Sequence, residues 1–182
     1  MFRLTHPAAL KLPLCALLLC ALHGCASYSG SSLRPGAATQ ADTRAAMGEP
    51  VAIHPAPPEA GYTESWEYPR GPLGRHTFMA RFDRQRKLLA VDQVLTVETT
   101  ARIRMGQDTR VEVRRLLGRP AAVFPARPGG ELWDYAAYAG KTDMRRIRLS
   151  VTFDERGFAI AAGESYDVEE FSPLSDGGSS TN

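Results

Sequence analysis

Few side chains here are arranged for covalent chemistry. His54 falls in a proline-rich loop and His76 in a strand, with no carboxylate or cysteine at ligand spacing, so no metal site is expected. No serine occupies a nucleophile elbow, and no glycine-rich loop is built to cradle phosphate. Asp83 and Asp154 stand at turns, where aspartate caps backbone. Neither catalysis nor a cofactor is expected. Cys15, Cys20 and Cys25 all lie in an N-terminal leader or at its end. A cut before Cys25 would leave the mature chain with no disulfide and no cysteine metal site. The arginines remain, and their chemistry is ion pairing. Arg34 and Arg104 each sit in an Arg-x-Gly corner. Arg145, Arg146 and Arg148 cluster on one strand, and Arg81, Arg84 and Arg86 echo them earlier. Plain solvation is the alternative for all of these arginines.

The elements that position the arginines occur twice. Arg104, Gly106, Thr109, Glu112, Arg114, Gly118 and Pro120 repeat the spacing of Arg34, Gly36, Thr39, Asp42, Arg44, Gly48 and Pro50, about 70 residues earlier. Each copy is followed by Trp-x-Tyr (Trp66/Tyr68, Trp133/Tyr135) and then by Phe-Asp (Phe82/Asp83, Phe153/Asp154). Thr39-x-x-Asp42 and Thr109-x-x-Glu112 read as helix starts with capping boxes. Gly48 and Gly118 close those helices, with a left-handed turn expected at each, and Pro50 and Pro120 forbid a restart. The stretches 51–61 and 121–130 hold several prolines and are expected to be irregular.

Strands follow. Residues 62–68 and 131–138 are rich in aromatics, which pack more naturally beneath the helices than as binding anchors. Ile147, Leu149, Val151 and Phe153 alternate with Arg146, Arg148, Ser150 and Thr152, and Phe78, Ala80 and Phe82 match the first set. Period two predicts a sheet with one buried and one wet face. Residues 96–103 predict a short helix, whereas 28–33 are too polar and glycine-rich for one. The expected organisation is a leader at 1–24, a flexible tether at 25–32, modules at 33–95 and 96–163, and an acidic, largely disordered tail at 164–182. The modules join without a linker, which predicts a fixed relative angle.

The leader gives the address. Arg3 and Lys11 precede or enter a short apolar run, Leu12 to Leu22, that is too short for a permanent span. Of the 22 Lys+Arg, these two leave with the leader, so the remainder balance the 20 Asp+Glu. No basic residue follows Arg156, so a basic body carries an acidic tail that starts near Glu164. Contact of that body with anionic lipid headgroups is one expectation. Export makes nucleic acid an unsuitable partner.

Leu22-His23-Gly24-Cys25 resembles the lipobox of bacterial lipoproteins. That resemblance implies acylation of Cys25, and Ala26 in the next position favours the outer membrane over retention in the inner one. Two or three acyl chains make a stable anchor, at about 0.8 kcal/mol per buried methylene. Ile103-Arg104-x-Gly106, the capped helix, Leu117-Gly118-x-Pro120, Trp133-x-Tyr135 and Phe153-x-x-x-Gly157 resemble the BamE (SmpA/OmlA) lipoproteins of the outer-membrane β-barrel assembly machinery. The resemblance covers about residues 97–162 well and 33–95 less closely. It implies an α+β fold: two tandem α(α)βββ modules, each with helices on one face of a three-stranded antiparallel sheet. It also carries Leu33, Arg34, Ile103 and Arg104 over as interface positions; Arg145, Arg146 and Arg148, near the wet face of the sheet, make a second basic patch by residue type alone. The function implied is a non-catalytic, lipid-anchored adaptor or scaffold on the periplasmic face of the outer membrane, holding a protein partner. The layout is also similar to the β-lactamase inhibitory protein, which implies as an alternative an enzyme-binding protein gripping through one joined, concave sheet.

Overall fold

The computed structural model describes residues 27–140 and 142–166. The leader, Cys25 and the tail from residue 167 lie outside the described residues. The chain builds two units from one plan. The first holds α1 (Gln40–Met47), β1 (Ala52–Pro55), β2 (Glu64–Arg70), β3 (His76–Phe82) and β4 (Leu88–Gln93). The second holds α2 (Val97–Thr100), α3 (Arg110–Leu117), β5 (Ala122–Ala126), β6 (Gly130–Tyr138), β7 (Arg146–Phe153) and β8 (Ala159–Tyr166). Each unit is an antiparallel meander, β1-β2-β3-β4 and β5-β6-β7-β8.

Local chemistry starts both long helices alike. The Thr39 side chain accepts the Asp42 N–H at 3.2 Å, and the Thr39 N–H donates to Asp42 Oδ2 at 2.8 Å. Thr109 and Glu112 form the same capping box before α3. Gly48 and Gly118 end the helices at φ 83° and 82°. Their ψ values of −170° and −162° are extended, not the expected left-handed turn. That region is open essentially to glycine alone. The helices then sit over aromatic cores. Trp66 meets Phe82 with ring centroids 4.6 Å apart, and Trp133 meets Phe153 at 4.8 Å.

The correspondence reaches register. Trp66 pairs with Ala80 as Trp133 pairs with Val151, and the last hairpin of each unit carries a bulge at Phe82 or Phe153. Thr39 bridges Lys87, and Thr109 bridges Phe158.

The expected three-stranded sheets are four-stranded. The proline-rich stretches were expected to be irregular, but β1 and β5 form within them. Both are edge strands, where Pro55 and Pro125 can lack a donor without breaking an internal ladder. Between α1 and the sheets' inner layers the plan matches expectation; residues 27–33 form turns, not a helix. They do not hang free as a tether. The Ser27 N–H donates to Ala46 O, and the Tyr28 hydroxyl lies 2.8 Å from His76 Nδ1.

The expectation of a wet outer sheet face holds for one sheet only. On β7, inward residues are buried and Arg146, Arg148, Ser150 and Thr152 are exposed or partly so. On β2 and β3, however, the outward Ser65, Glu67, Thr77 and Met79 are buried as well. The second unit covers them, as the contacts of Gly118 and Arg119 show. The order of layers is therefore α1, first sheet, α3, second sheet. The two sheets share no ladder, and α3 lies between them. The joined concave sheet of the inhibitor-like alternative is not formed.

Candidate interaction surfaces

The surface joining the units is built around Glu67. Its side chain is fully buried on the outer face of β2. It accepts the backbone N–H of Arg119, just past α3, at 2.8 Å. His54 Nε2 on β1 lies 2.8 Å away, and Arg114 Nε at 3.8 Å. Burial works to raise the Glu67 pKa. The hydrogen bonds from His54 and Arg119, with the charge of Arg114, outweigh burial and hold it below the usual carboxylate value. Beside it Gly118 must be glycine for a second reason. A Cβ there would meet Thr77 Cγ2 at 2.9 Å and Glu67 Oε1 at 3.0 Å. Gly48 has nothing within 4 Å of the same point. At the other end of the joint, the Arg75 guanidinium donates to Ala137 O at 3.4 Å, and the His76 and Tyr138 rings lie 5.0 Å apart.

The proposed interface residues do not share one surface. Ile103 is buried in the second core, and Leu33 is half-buried against the first. Both hold the Arg-x-Gly corner in place rather than presenting a contact. Arg34 is exposed at its corner. Arg104 is exposed too, but its Nε and Nη2 reach Asp108 Oδ1 at 2.9 and 2.6 Å. The first unit has Ala38 where the second has Asp108, so Arg34 lacks that partner. Arg104 opens onto a cleft of about 310 Å³ between the units, with Arg81, Arg102, Arg115, Tyr62 and Glu112. Arg81, from the first basic echo, thus lies beside Arg104. It is ion-paired with Asp92. Arg145 chelates Asp143, with Nη2 to Oδ2 at 2.6 Å, and Arg148 reaches Asp134 at 3.0 Å, while Arg146 is exposed. Arg84 and Arg86 are exposed at the β3–β4 turn, away from the strand positions that Arg146 and Arg148 hold.

Two acids went unnoticed at the level of sequence. Each Trp-x-Tyr is part of Glu-x-Trp-acid-Tyr: Glu64, Trp66, Glu67 and Tyr68, then Glu131, Trp133, Asp134 and Tyr135. The first acid accepts the indole N–H of its own Trp, at 2.8 and 2.9 Å. It also receives the first residue of the helix, Gln40 or Arg110. The second acid faces outward. Comparing the two copies position by position exposes both.

The described residues include no group of His, Cys, Asp or Glu that could hold a metal ion. None of the described helices is long and apolar enough to cross a membrane.

The second unit's span, from the end of β4 through β8, coincides with a family match. Residues 93–163 fit the model of the outer membrane protein assembly factor BamE domain. The second unit is therefore similar to a BamE domain over that span. The match begins at the last residue of β4 and leaves the rest of the first unit outside it. No curated protein and no solved structure matches the chain. The matched span contains α2, α3 and the second sheet up to Gly163 in β8. It also supplies the helix end that clasps Glu67.

Proposed function

We propose that the protein is a lipoprotein anchored through Cys25 to the periplasmic face of the outer membrane, where it works as a non-catalytic adaptor or scaffold in outer-membrane protein assembly. The observation carrying this reading is the BamE domain at residues 93–163. On this reading the first unit, with the same strand register and capping box, is a second module of the same type. The exposed arginines, Arg34 and Arg146 above all, then face the anionic headgroups or a protein partner.

Two measurements test it. Incorporation of labelled palmitate should be lost in Cys25→Ser; label retained in that variant would remove the anchor from the proposal. Co-purification from detergent-solubilised envelopes should recover outer-membrane assembly components with the tagged chain. Recovery of none, with the anchor intact, would leave a tethered protein of some other purpose.

A further inference from the structure

Each sheet has one guarded edge and one open edge. β1 and β5 carry Pro55 and Pro125 on their edges. Proline and charge are the usual guards against a foreign strand. β4 and β8 carry no proline. Their first residues are occupied. The Leu88 N–H donates to Ala38 O, and the Ala159 N–H to Asp108 O, both at 2.8 Å. Beyond the bulge the row is open. The Val94 N–H donates to Thr77 O on β3, so alternation turns the backbone groups of Val91 and Gln93 outward. The matching register turns those of Ala162, Glu164 and Tyr166 outward. Among the described residues no backbone hydrogen bond reaches that row.

A hollow lies beside each open edge, and the two are built from the same positions. In the second unit Thr100, Ala101, Met105, Leu149, Ala162 and Glu164 line a hollow of about 240 Å³. The residues at those places in the first unit are Gly30, Ser31, Pro35, Phe78, Val91 and Gln93. They line one of about 570 Å³. The first also takes in Tyr138 and Gly140 of the second unit. Val97, Met105 and Tyr166 are exposed apolar side chains around the second hollow and edge.

We infer that β8 is a docking edge for an extended segment of another polypeptide that sets an apolar and a cationic side chain two residues apart on one face. An extended backbone is the ligand whose donors and acceptors repeat at the spacing of the open row. Ala161, Ala162 and Gly163 let that backbone approach. Alternate side chains fall on one face, so an apolar residue beside Ala162 enters the hollow while a cation two residues along, on that same face, meets Glu164 at its rim. A second copy of β8 fits less well, since antiparallel pairing sets the two Glu164 carboxylates directly opposite when centred on Glu164, and as same-face diagonal neighbours about 7–8 Å apart when centred on Gly163. The inference stands on the edges and hollows and does not depend on the envelope reading.

The test uses the chain from residue 25 with Cys25→Ser and a fluorescein-labelled ten-residue peptide in which valine and lysine follow each other along one face and threonine fills every second position, at 150 mM salt. Anisotropy should show saturable binding. Methylating alternate peptide nitrogens should weaken it at least tenfold, and so should Glu164→Pro, which removes an outward donor. Ala162→Leu, which fills the second hollow and keeps every charge, should weaken it at the β8 edge. Hydrogen exchange should slow on peptide addition at Ala162, Glu164 and Tyr166. Binding unaffected by N-methylation, or no binding, overturns the inference. So does sedimentation showing the chain dimerised through β8 with the peptide excluded, which would make the occupant a second copy.

Discussion

α1 and α3 are the same helix made twice, yet they live in different surroundings. Both have a threonine cap, an acid at the third position, eight residues and a glycine stop at nearly the same φ. α1 has a sheet on one side and water on the other. α3 has a sheet on each side. Off the core-facing stripe, matching residues meet different partners. Arg44 lays its guanidinium over Trp66, 4.2 Å from the ring centroid. Arg114, its counterpart, is drawn to Glu67 across the joint, and a hollow opens over Trp133. The outer sheet faces differ in the same way. Glu67 finds its partners in the other unit. Asp134, at the matching place, pairs with Arg148 of its own sheet. Arg148 stands where the first sheet has Thr77, too short to reach across. One substitution of this kind satisfies the acid locally, so no third unit is required. Terminal repeats of stacked proteins commonly present such a polar face.

The comparison can be broken most severely at Glu67. Glu67→Ala leaves the Arg119 N–H and two basic side chains without their buried partner, and should cost about 3 kcal/mol. Asp134→Ala exposes Arg148 to water and should cost about 1 kcal/mol or less. Chemical denaturation of both variants decides it; equal losses would mean that the joint contributes nothing special.

The glycine stops come next. Gly48→Ala should cost about 1–2 kcal/mol, from backbone strain alone. Gly118→Ala meets the same strain and must also displace Thr77 and Glu67, so its loss should be larger by about 1 kcal/mol or more. Thermal unfolding of the pair checks the order.

Acid should loosen the joint. The folded pKa of Glu67 lies below its unfolded value of 4.5. Its contribution is therefore complete above pH 4.5 and is lost as pH falls through the folded pKa. Other carboxylates, among them Glu112 and Asp154, are lowered too. The Glu67 share is read as the difference from Glu67→Gln, which should shrink steadily between pH 5 and pH 3. A constant difference would mean that Glu67 does not titrate in the fold.

The smallest effect concerns the tyrosines. The Tyr135 hydroxyl donates to Gly118 O at 3.3 Å, whereas that of Tyr68 is buried without a hydrogen-bond partner among the described residues. Burial pushes the Tyr68 pKa up to about 12. Tyr68→Phe should be neutral or stabilising, and Tyr135→Phe should lose about 0.5–1 kcal/mol. Reversal of that order in urea midpoints would show that the two hydroxyls are not distinguished by the joint.

Much of each unit was readable before folding. Thr39 and Thr109 act through neighbours three residues away, and the alternation along β7 is a local period of two. Interactions of that range leave a mark in a short window of sequence. The edge strands were missed because proline forbids a central strand but not an edge one, and position in a sheet is not a local property. The site residues divide the same way. Ile103 and Leu33 are apolar and are buried or half-buried. Whether Arg34, Arg104 or Arg148 is paired depends on what another segment brings to it.

The chain by itself determined two capped helices, two aromatic cores and the strands that enclose them, because these follow from hydrogen bonds and periodicities a few residues long. Only the tertiary structure decided that α3 would lie across the first sheet and not beside it. That choice rests on a buried carboxylate, a glycine that lets two backbones close up, and an arginine turned from its own tryptophan. Each of these acts over about 50 residues of separation, where side-chain type alone does not say which partner is met.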